Sequence, residues 1–120
     1  MISINYRDPR PVYRQIKDGI RTLILTGALP AEEKLPSVRD LAAELAINPN
    51  TIQRAYRELE TEGVIYSIPG KGSFASANKN AGATHIAGLK EDFRAEAEKL
   101  FQLGISEEEL ISIIQEVNPS

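Results

Sequence analysis

The chain has 120 residues, of which 42% are hydrophobic and 26% charged, a composition typical of one small globular domain with or without an appendage. The chain has no cysteine, which excludes disulfide frameworks and thiolate zinc sites. Its single histidine leaves little material for a catalytic triad. The net charge of −3, taken alone, argues mildly against a nucleic-acid partner. No signal peptide or long apolar run is found, which predicts a cytoplasmic protein without membrane contacts.

Three helices are predicted in the first half of the chain. Apolar residues at helical spacing predict the first helix over residues 10–26. A second helix begins after Ser37, which is a good N-cap and forms a capping box with Asp40. The third helix is predicted over residues 49–62, with Asn48 as its cap. Its apolar side carries Ile52, Ala55, Tyr56 and Leu59.

A β-hairpin is predicted to follow these helices. Residues 64–68 and 73–76 are typical of strands, and the Pro-Gly-Lys-Gly sequence at 69–72 is typical of a turn. Two helices separated by a short turn and followed by a hairpin are the order of a winged helix-turn-helix. We therefore predict an α+β, mostly helical fold. A DNA-binding winged helix-turn-helix domain covers residues 1–77, and a two-helix dimerisation tail covers residues 78–120.

The predicted tail begins with small and polar residues. Residues 77–85 are interpreted as a linker or a frayed helix start, in which His85 is an ordinary surface residue. An amphipathic helix follows over residues 86–103. Ser106 and Glu109 then form the capping box of a last helix that is apolar around most of its circumference. Its three consecutive glutamates suit a helix N-terminus better than a metal site.

The apolar residues of the tail exceed what one short helical pair can bury internally. They predict a homodimer interface made of Ile86, Leu89, Phe93, Leu100, Leu103, Leu110, Ile111 and Ile114. The alternative is a tail that packs on its own winged domain. About 44 residues follow the hairpin, too few to enclose a typical ligand pocket. A small-molecule effector is compatible with a dimer interface but is not indicated, and no cofactor is predicted.

The third helix carries polar groups on the side away from its apolar residues. In a helix-turn-helix this helix enters the major groove, which is about 12 Å wide. Short amides and hydroxyls can reach base edges or phosphates, glutamine can read adenine, and arginine can read guanine or bind phosphate. The predicted contacts are Asn48, Asn50, Thr51, Gln53, Arg54 and Arg57. The alternative is that Asn48 and Thr51 only cap the helix and that the arginines are solvated.

Two further segments complete the predicted DNA-binding set. Ser37 and Arg39 lie at the start of the second helix, from which Arg39 can reach over the third helix towards DNA. Gly70 and Lys71 lie in the hairpin turn, where a basic and sterically open tip can approach a minor groove or a phosphate. The alternative for Arg39 is a surface ion pair with Glu32, Glu33 or Glu44.

Four segments stand in a characteristic order. They are Leu35–Ala42, Asn48–Ile52, Ala55–Gly63 and Gly70–Phe74. Together they resemble the GntR family of bacterial transcription regulators, in particular its YtrA-like branch, over residues 10–76. The resemblance implies a homodimeric operator-binding protein, usually a repressor, with DNA contacts from Arg39, Gln53, Gly70 and the start of the third helix. Two positions depart from the pattern of many relatives, because Pro69 and Gln53 stand where basic residues are common.

The favoured hypothesis is therefore a dimeric, sequence-specific DNA-binding transcription regulator that acts as a repressor. The alternative is a winged-helix protein-interaction module that does not bind DNA, but such a module would show apolar or acidic residues at positions 50, 53, 54 and 57. An enzyme is the least supported class, since no catalytic constellation can be assembled. Residues 1–78 hold ten basic and nine acidic side chains, and residues 79–120 hold four and eight. The acidic excess thus belongs to the tail and does not argue against DNA binding.

Overall fold

The computed structural model describes residues 2–77 and 79–119. Within them the elements are α1 (Val12–Leu25), α2 (Val38–Leu45), α3 (Pro49–Thr61), β1 (Ile65–Ile68), β2 (Gly72–Ala75), α4 (Lys79–Gln102) and α5 (Glu107–Val117). This order confirms the predicted α+β, mostly helical fold, in which a winged helix-turn-helix is followed by a helical tail. In the described part of the chain, no helix is both long and apolar enough to cross a membrane.

The chain forms two compact units, Met1–Gly82 (the winged unit) and Ala83–Ser120 (the tail unit). The predicted domain boundary falls at Asn78, outside the described residues. Of the two interpretations of residues 77–85, the linker is wrong and the helix start is correct, because α4 begins at Lys79. Residues 79–85, interpreted as a linker or a frayed start, are therefore helical. The cause is tertiary packing, since Ala81 packs against the core of the winged unit and stabilises this turn.

The winged unit has one hydrophobic core, which lies between its three helices and the sheet. The largest fully buried side chains are Ile16, Ile20, Leu35, Leu41, Ile52, Leu59 and Ile65. All four residues predicted on the apolar side of α3 are buried, which confirms that the helix is oriented as expected. The opposite side of α3 is therefore the side that faces solvent.

Local capping explains where α2 and α3 begin. The Ser37 hydroxyl accepts a hydrogen bond from the backbone N–H of Asp40 at 3.0 Å, as its N-cap position predicts. The Asn48 side chain accepts one from the N–H of Asn50 at 2.9 Å, and Pro49 occupies the first helical position of α3. A three-residue turn separates α2 from α3. The helix-turn-helix geometry thus follows from short-range signals.

The wing is larger than the predicted hairpin. β1 and β2 pair antiparallel, with Tyr66 opposite Phe74 and the two rings stacked 5.6 Å apart. Each strand boundary lies within one residue of its predicted position. The segment before α2 adds a pairing that the sequence did not predict, since Lys34 bridges to Phe74 and the N–H of Glu32 donates to the carbonyl of Ala75 at 2.8 Å. β2 is therefore paired on both of its edges.

Ion pairs join α1 to the C-terminal part of α3. Arg21, only 6% exposed, donates to Glu62 Oε1 at 2.5 Å and to Asp18 Oδ1 at 2.8 Å. Lys17 lies 2.9 Å from Glu58 Oε1 and 2.8 Å from Glu62 Oε2. Burial of Glu62 opposes its ionisation, but the hydrogen bonds from Lys17 and Arg21 outweigh this effect and hold the pKa of Glu62 below its usual value. The ionised form therefore stabilises the packing of α3 on α1.

We expect Glu62→Gln to lower the free energy of unfolding by about 1–2 kcal/mol at pH 7, because it removes the carboxylate shared by Lys17 and Arg21. Because the pKa of Glu62 is lower in the folded state, its ionisation stabilises the protein at pH values above the unfolded-state pKa of about 4.3. This contribution is lost as the pH falls through the folded-state pKa. Urea unfolding should therefore show a difference from the wild type that shrinks towards pH 3.

Glu44→Gln is the matched control, because Glu44 is exposed on α2 and forms no ion pair among the described residues. Its unfolding curve should coincide with that of the wild type at both pH values. Equal effects of the two substitutions would contradict the stabilising role of Glu62, and so would a Glu62→Gln effect that is independent of pH.

Candidate nucleic-acid interface and tail surface

The first turn of α3 presents polar groups to solvent. Asn48 and Asn50 are exposed, and Thr51 is half-buried. The side-chain oxygen Oδ1 of Asn48 accepts a hydrogen bond from the N–H of Asn50, so the capping role that the sequence left open is formed. The side-chain nitrogen of Asn48 is not used in that bond and can still donate to a base or a phosphate.

The two arginines of α3 have different surroundings. Arg57 is exposed and forms no ion pair in the part of the chain that the structure describes. The Arg54 guanidinium carbon lies 3.7 Å from the centre of the Tyr13 ring of α1, and its Nε donates to Glu58 at 3.1 Å. Arg54 is therefore held against α1. Gln53, on the same exposed side of α3, is open to solvent.

Arg39 lies in the first turn of α2 and is exposed. The alternative in which it pairs with Glu32, Glu33 or Glu44 is not formed, since Arg39 has no ion pair among the described residues. The turn before it is fixed by Tyr56, whose hydroxyl donates to the carbonyl of Pro36 at 2.7 Å. Burial raises the pKa of Tyr56 well above its usual value, so this donor remains protonated. Arg39 thus extends into solvent from a turn anchored to α3.

The tip of the wing is formed by Gly70 and Lys71. Gly70 has a φ of +77°, a conformation that favours glycine, and nothing lies within 4 Å of where its Cβ would be. Lys71 is exposed, and its N–H donates to the carbonyl of Ile68 at 2.9 Å to close the turn. The tip is therefore open, basic and held in one backbone conformation.

The basic side chains of residues 2–77 divide into two sets. Those in ion pairs are Arg10, Lys17, Arg21 and Arg54. Those without one among the described residues are Arg7, Arg14, Lys34, Arg39, Arg57 and Lys71. Three of the paired cations, Lys17, Arg21 and Arg54, thus contact both α1 and α3. Three predicted DNA-binding cations, Arg39, Arg57 and Lys71, have no ion pair among the described residues. Lys34 was not among the predicted contacts, because its position beside the wing depends on a pairing that local patterns do not predict.

The tail unit has no buried side chain among its described residues, 83–119. Of the predicted interface residues, Leu100 and Leu110 are half-buried and the other six are exposed. Phe93 is 59% exposed and Leu103 is 78% exposed. Phe101, missed because it lies off the predicted apolar stripe, is exposed as well. An apolar surface of this extent is characteristic of an interaction site.

His85 lies in α4 rather than in a linker, and it is half-buried. No group of three or more histidine and acidic side chains that could hold a metal occurs among the described residues. The glutamates at the start of α5 stand in its first turn, where the helix dipole favours negative charge.

Comparison with known proteins identifies relatives of this architecture. The family described as bacterial regulatory proteins, gntR family, matches residues 12–74, just over half of the chain. The HTH-type transcriptional repressor YtrA of Bacillus subtilis is 37% identical over 98% of this chain and 92% of its own length. A GntR family transcriptional regulator from Listeria monocytogenes is 39% identical with a TM-score of 0.73, covering 92% of this chain and 98% of that one. AraR(DBD) in complex with operator ORE1 is 26% identical with a TM-score of 0.54, covering 63% of this chain and 93% of that one.

Proposed function

Because this chain belongs to the gntR family of bacterial regulatory proteins and is a DNA-binding transcription regulator rather than an enzyme, we propose that it is a homodimeric repressor of a palindromic operator. The observation that carries the proposal is the exposed polar first turn of α3, flanked by uncompensated cations on α2 and the wing of the same unit. The relative named YtrA is a repressor, and AraR(DBD) is described in complex with an operator. These names support the assignment of the same activity here.

In this proposal α3 lies in the major groove with its first turn towards the bases. Asn50, Thr51 and Gln53 read base edges through short or unpaired polar groups, and Asn48 donates from its free amide nitrogen. Arg57 binds phosphate or guanine from the exposed side of α3. The Ser37 hydroxyl oxygen accepts the capping hydrogen bond, so its O–H can donate to a phosphate. Arg54, which lies on the Tyr13 ring, adds positive charge to the same surface.

The tail unit forms the dimer in this proposal. It has no buried core of its own among its described residues, and its exposed apolar side chains would be covered by the same surface of a second copy. A two-fold dimer then reads two half-sites that are related by the same symmetry. An operator that is a palindrome is the expected consequence.

Selection of bound duplexes from a random pool tests the proposal directly. We expect an enriched palindrome whose half-sites are separated by about one helical turn or a multiple of it. Enrichment of a single unrepeated half-site would contradict the dimeric mode of binding. No enrichment at all would contradict operator recognition and favour a protein-interaction module.

We expect Lys71→Ala to weaken binding to every duplex sequence, because the proposed contact of Lys71 is with a phosphate and not a base. The slope of log K against log salt concentration should become shallower by about one per protomer. Fluorescence anisotropy titrations at a series of salt concentrations measure both quantities. Lys99→Ala, which removes an exposed lysine of the tail unit paired with Glu96, should leave the slope unchanged. An unaltered slope for Lys71→Ala would remove Lys71 from the interface.

A further inference from the structure

Lys34 occupies a defined place on the wing. It lies directly opposite Phe74 of β2 in an antiparallel bridge, and the N–H of Leu35 donates to the carbonyl of Ser73 at 2.8 Å. Residues that face each other in antiparallel pairs place their side chains on the same face of the sheet. Because side chains alternate along a strand, Gly72 shares that face with Phe74. The Lys34 side chain therefore has a path along the sheet towards the turn.

Gly72 leaves the space that the Lys34 side chain occupies. A Cβ built on Gly72 would lie 2.9 Å from Lys34 Cε and 3.6 Å from its Nζ, so any other residue would displace the lysine. Gly72 also has a φ of +118°, which favours glycine independently of the space. The end of the Lys34 side chain thus lies beside the backbone of Gly72, the residue that follows Lys71.

The Lys34 ammonium is not held by a carboxylate in the part of the chain that the structure describes. Lys34 is exposed and forms no ion pair in the described residues. Glu32, two positions earlier, accepts a hydrogen bond from the hydroxyl of Tyr66. Glu33 is the intervening residue of an extended segment, so its side chain projects to the opposite face. Lys34 and Lys71 are therefore two lysines of the wing that form no ion pair among the described residues.

The face that carries Lys34 is not the face that meets α3. Ile65 and Ala75 are buried on that inner face, and Ser67, farther out on it, lies 3.4 Å from Glu60 of α3. Lys34 therefore lies on the outer face of the wing. Lys34, which is exposed, is therefore open to a ligand on this outer face.

We propose that Lys34 is a second DNA-binding cation of the wing, positioned by Gly72, which binds a DNA phosphate close to the one bound by Lys71. This inference rests on the proposed contact of the wing with DNA. The Lys34 side chain lies against Gly72 before DNA is bound, so it loses less conformational entropy when it binds the phosphate. A contact of this kind strengthens binding to all sequences equally.

The test uses the full chain and a fluorescein-labelled duplex of mixed sequence, about three helical turns long. We expect Lys34→Gln to make the salt slope shallower by about one per protomer and to weaken binding about fivefold per protomer at roughly 0.15 M salt. Lys34→Arg retains the charge and should retain the wild-type slope. Lys99→Gln is the control for the loss of a lysine elsewhere and should match the wild type.

A second substitution tests the role of Gly72. Gly72→Ala should weaken binding when Lys34 is present and have little further effect in the Lys34→Gln background, because both changes remove one contact. Thermal unfolding of each variant shows whether the wing remains folded. If the losses of binding free energy from Lys34→Gln and Gly72→Ala add up in the double variant, Gly72 does not position Lys34.

The role of Lys34 and the proposed DNA-binding function can be contradicted separately. If the wild type binds the duplex with a normal salt dependence and Lys34→Gln has the same slope, Lys34 is not a DNA contact and the proposed function stands. If the wild type does not bind the duplex at any salt concentration, the proposed function fails and the assignment of Lys34 fails with it.

Discussion

Phe93→Asp is expected to convert the proposed dimer into a folded monomer and to weaken operator binding by about 10²–10⁴-fold. Phe93 is 59% exposed and belongs to the apolar surface of α4 with Ile86 and Leu89, so its replacement costs the single chain little. A carboxylate at this position would have to be desolvated in the dimer interface. Loss of the dimer also removes the high effective concentration with which the second winged unit finds its half-site. Sedimentation equilibrium and titration of the selected operator measure the two effects.

Ala95→Asp is the matched control, because Ala95 is exposed on the same helix, about 200° around it from Phe93. It should remain dimeric and retain operator affinity. A dimer that persists in Phe93→Asp would place the interface elsewhere. A wild-type chain that is itself monomeric would instead support the alternative in which the tail packs on its own winged domain.

Arg39→Ala is expected to reduce operator affinity by about 1–3 kcal/mol, or roughly fivefold to 150-fold, if Arg39 reads a base. Arg39 is exposed, has no ion pair among the described residues and extends from a turn that Tyr56 anchors to α3. Its substitution therefore removes a positioned cation without breaking a contact within the fold. Titration against the selected operator and against a scrambled duplex of the same length gives the loss of affinity and the change in specificity.

Arg14→Ala provides the comparison, since Arg14 is an exposed arginine of the same unit that forms no ion pair among the described residues. It should leave the ratio of operator to scrambled-duplex affinity unchanged. An equal loss on both duplexes for Arg39→Ala would make Arg39 a phosphate contact. An unchanged affinity would exclude it from the interface.

The parts of the fold that were predictable depend on strong local signals. The caps at Ser37 and Asn48 and the glycine-rich turn at 69–72 act within a few residues, so the helix-turn-helix and the hairpin follow from them. The buried side of α3 followed from apolar residues at helical spacing, and this also indicated which side chains face solvent. The DNA contacts inferred from the exposed side of α3 stay predictions, and so does the dimer interface inferred from the apolar residues of the tail.

The remainder depends on contacts between distant segments. The early start of α4 is stabilised by Ala81 packing on the core, and small residues alone do not indicate a helix. The pairing of Lys34 with Phe74 joins segments forty residues apart, and no alternation in residues 32–35 predicts it. The position of Arg54 on Tyr13 likewise depends on how α1 and α3 pack. Each of these features appears only once the core has formed.

The contacts between α1 and α3 constrain how operator specificity can be altered. Tyr13, Lys17 and Arg21 of α1 hold Arg54, Glu58 and Glu62 of α3. A chimera that exchanged only α3 with that of a relative would carry new readout residues but lose partners on this shared side. Retargeting the regulator therefore requires α1 and α3 to be transplanted together, and the two helices are expected to diversify as a pair.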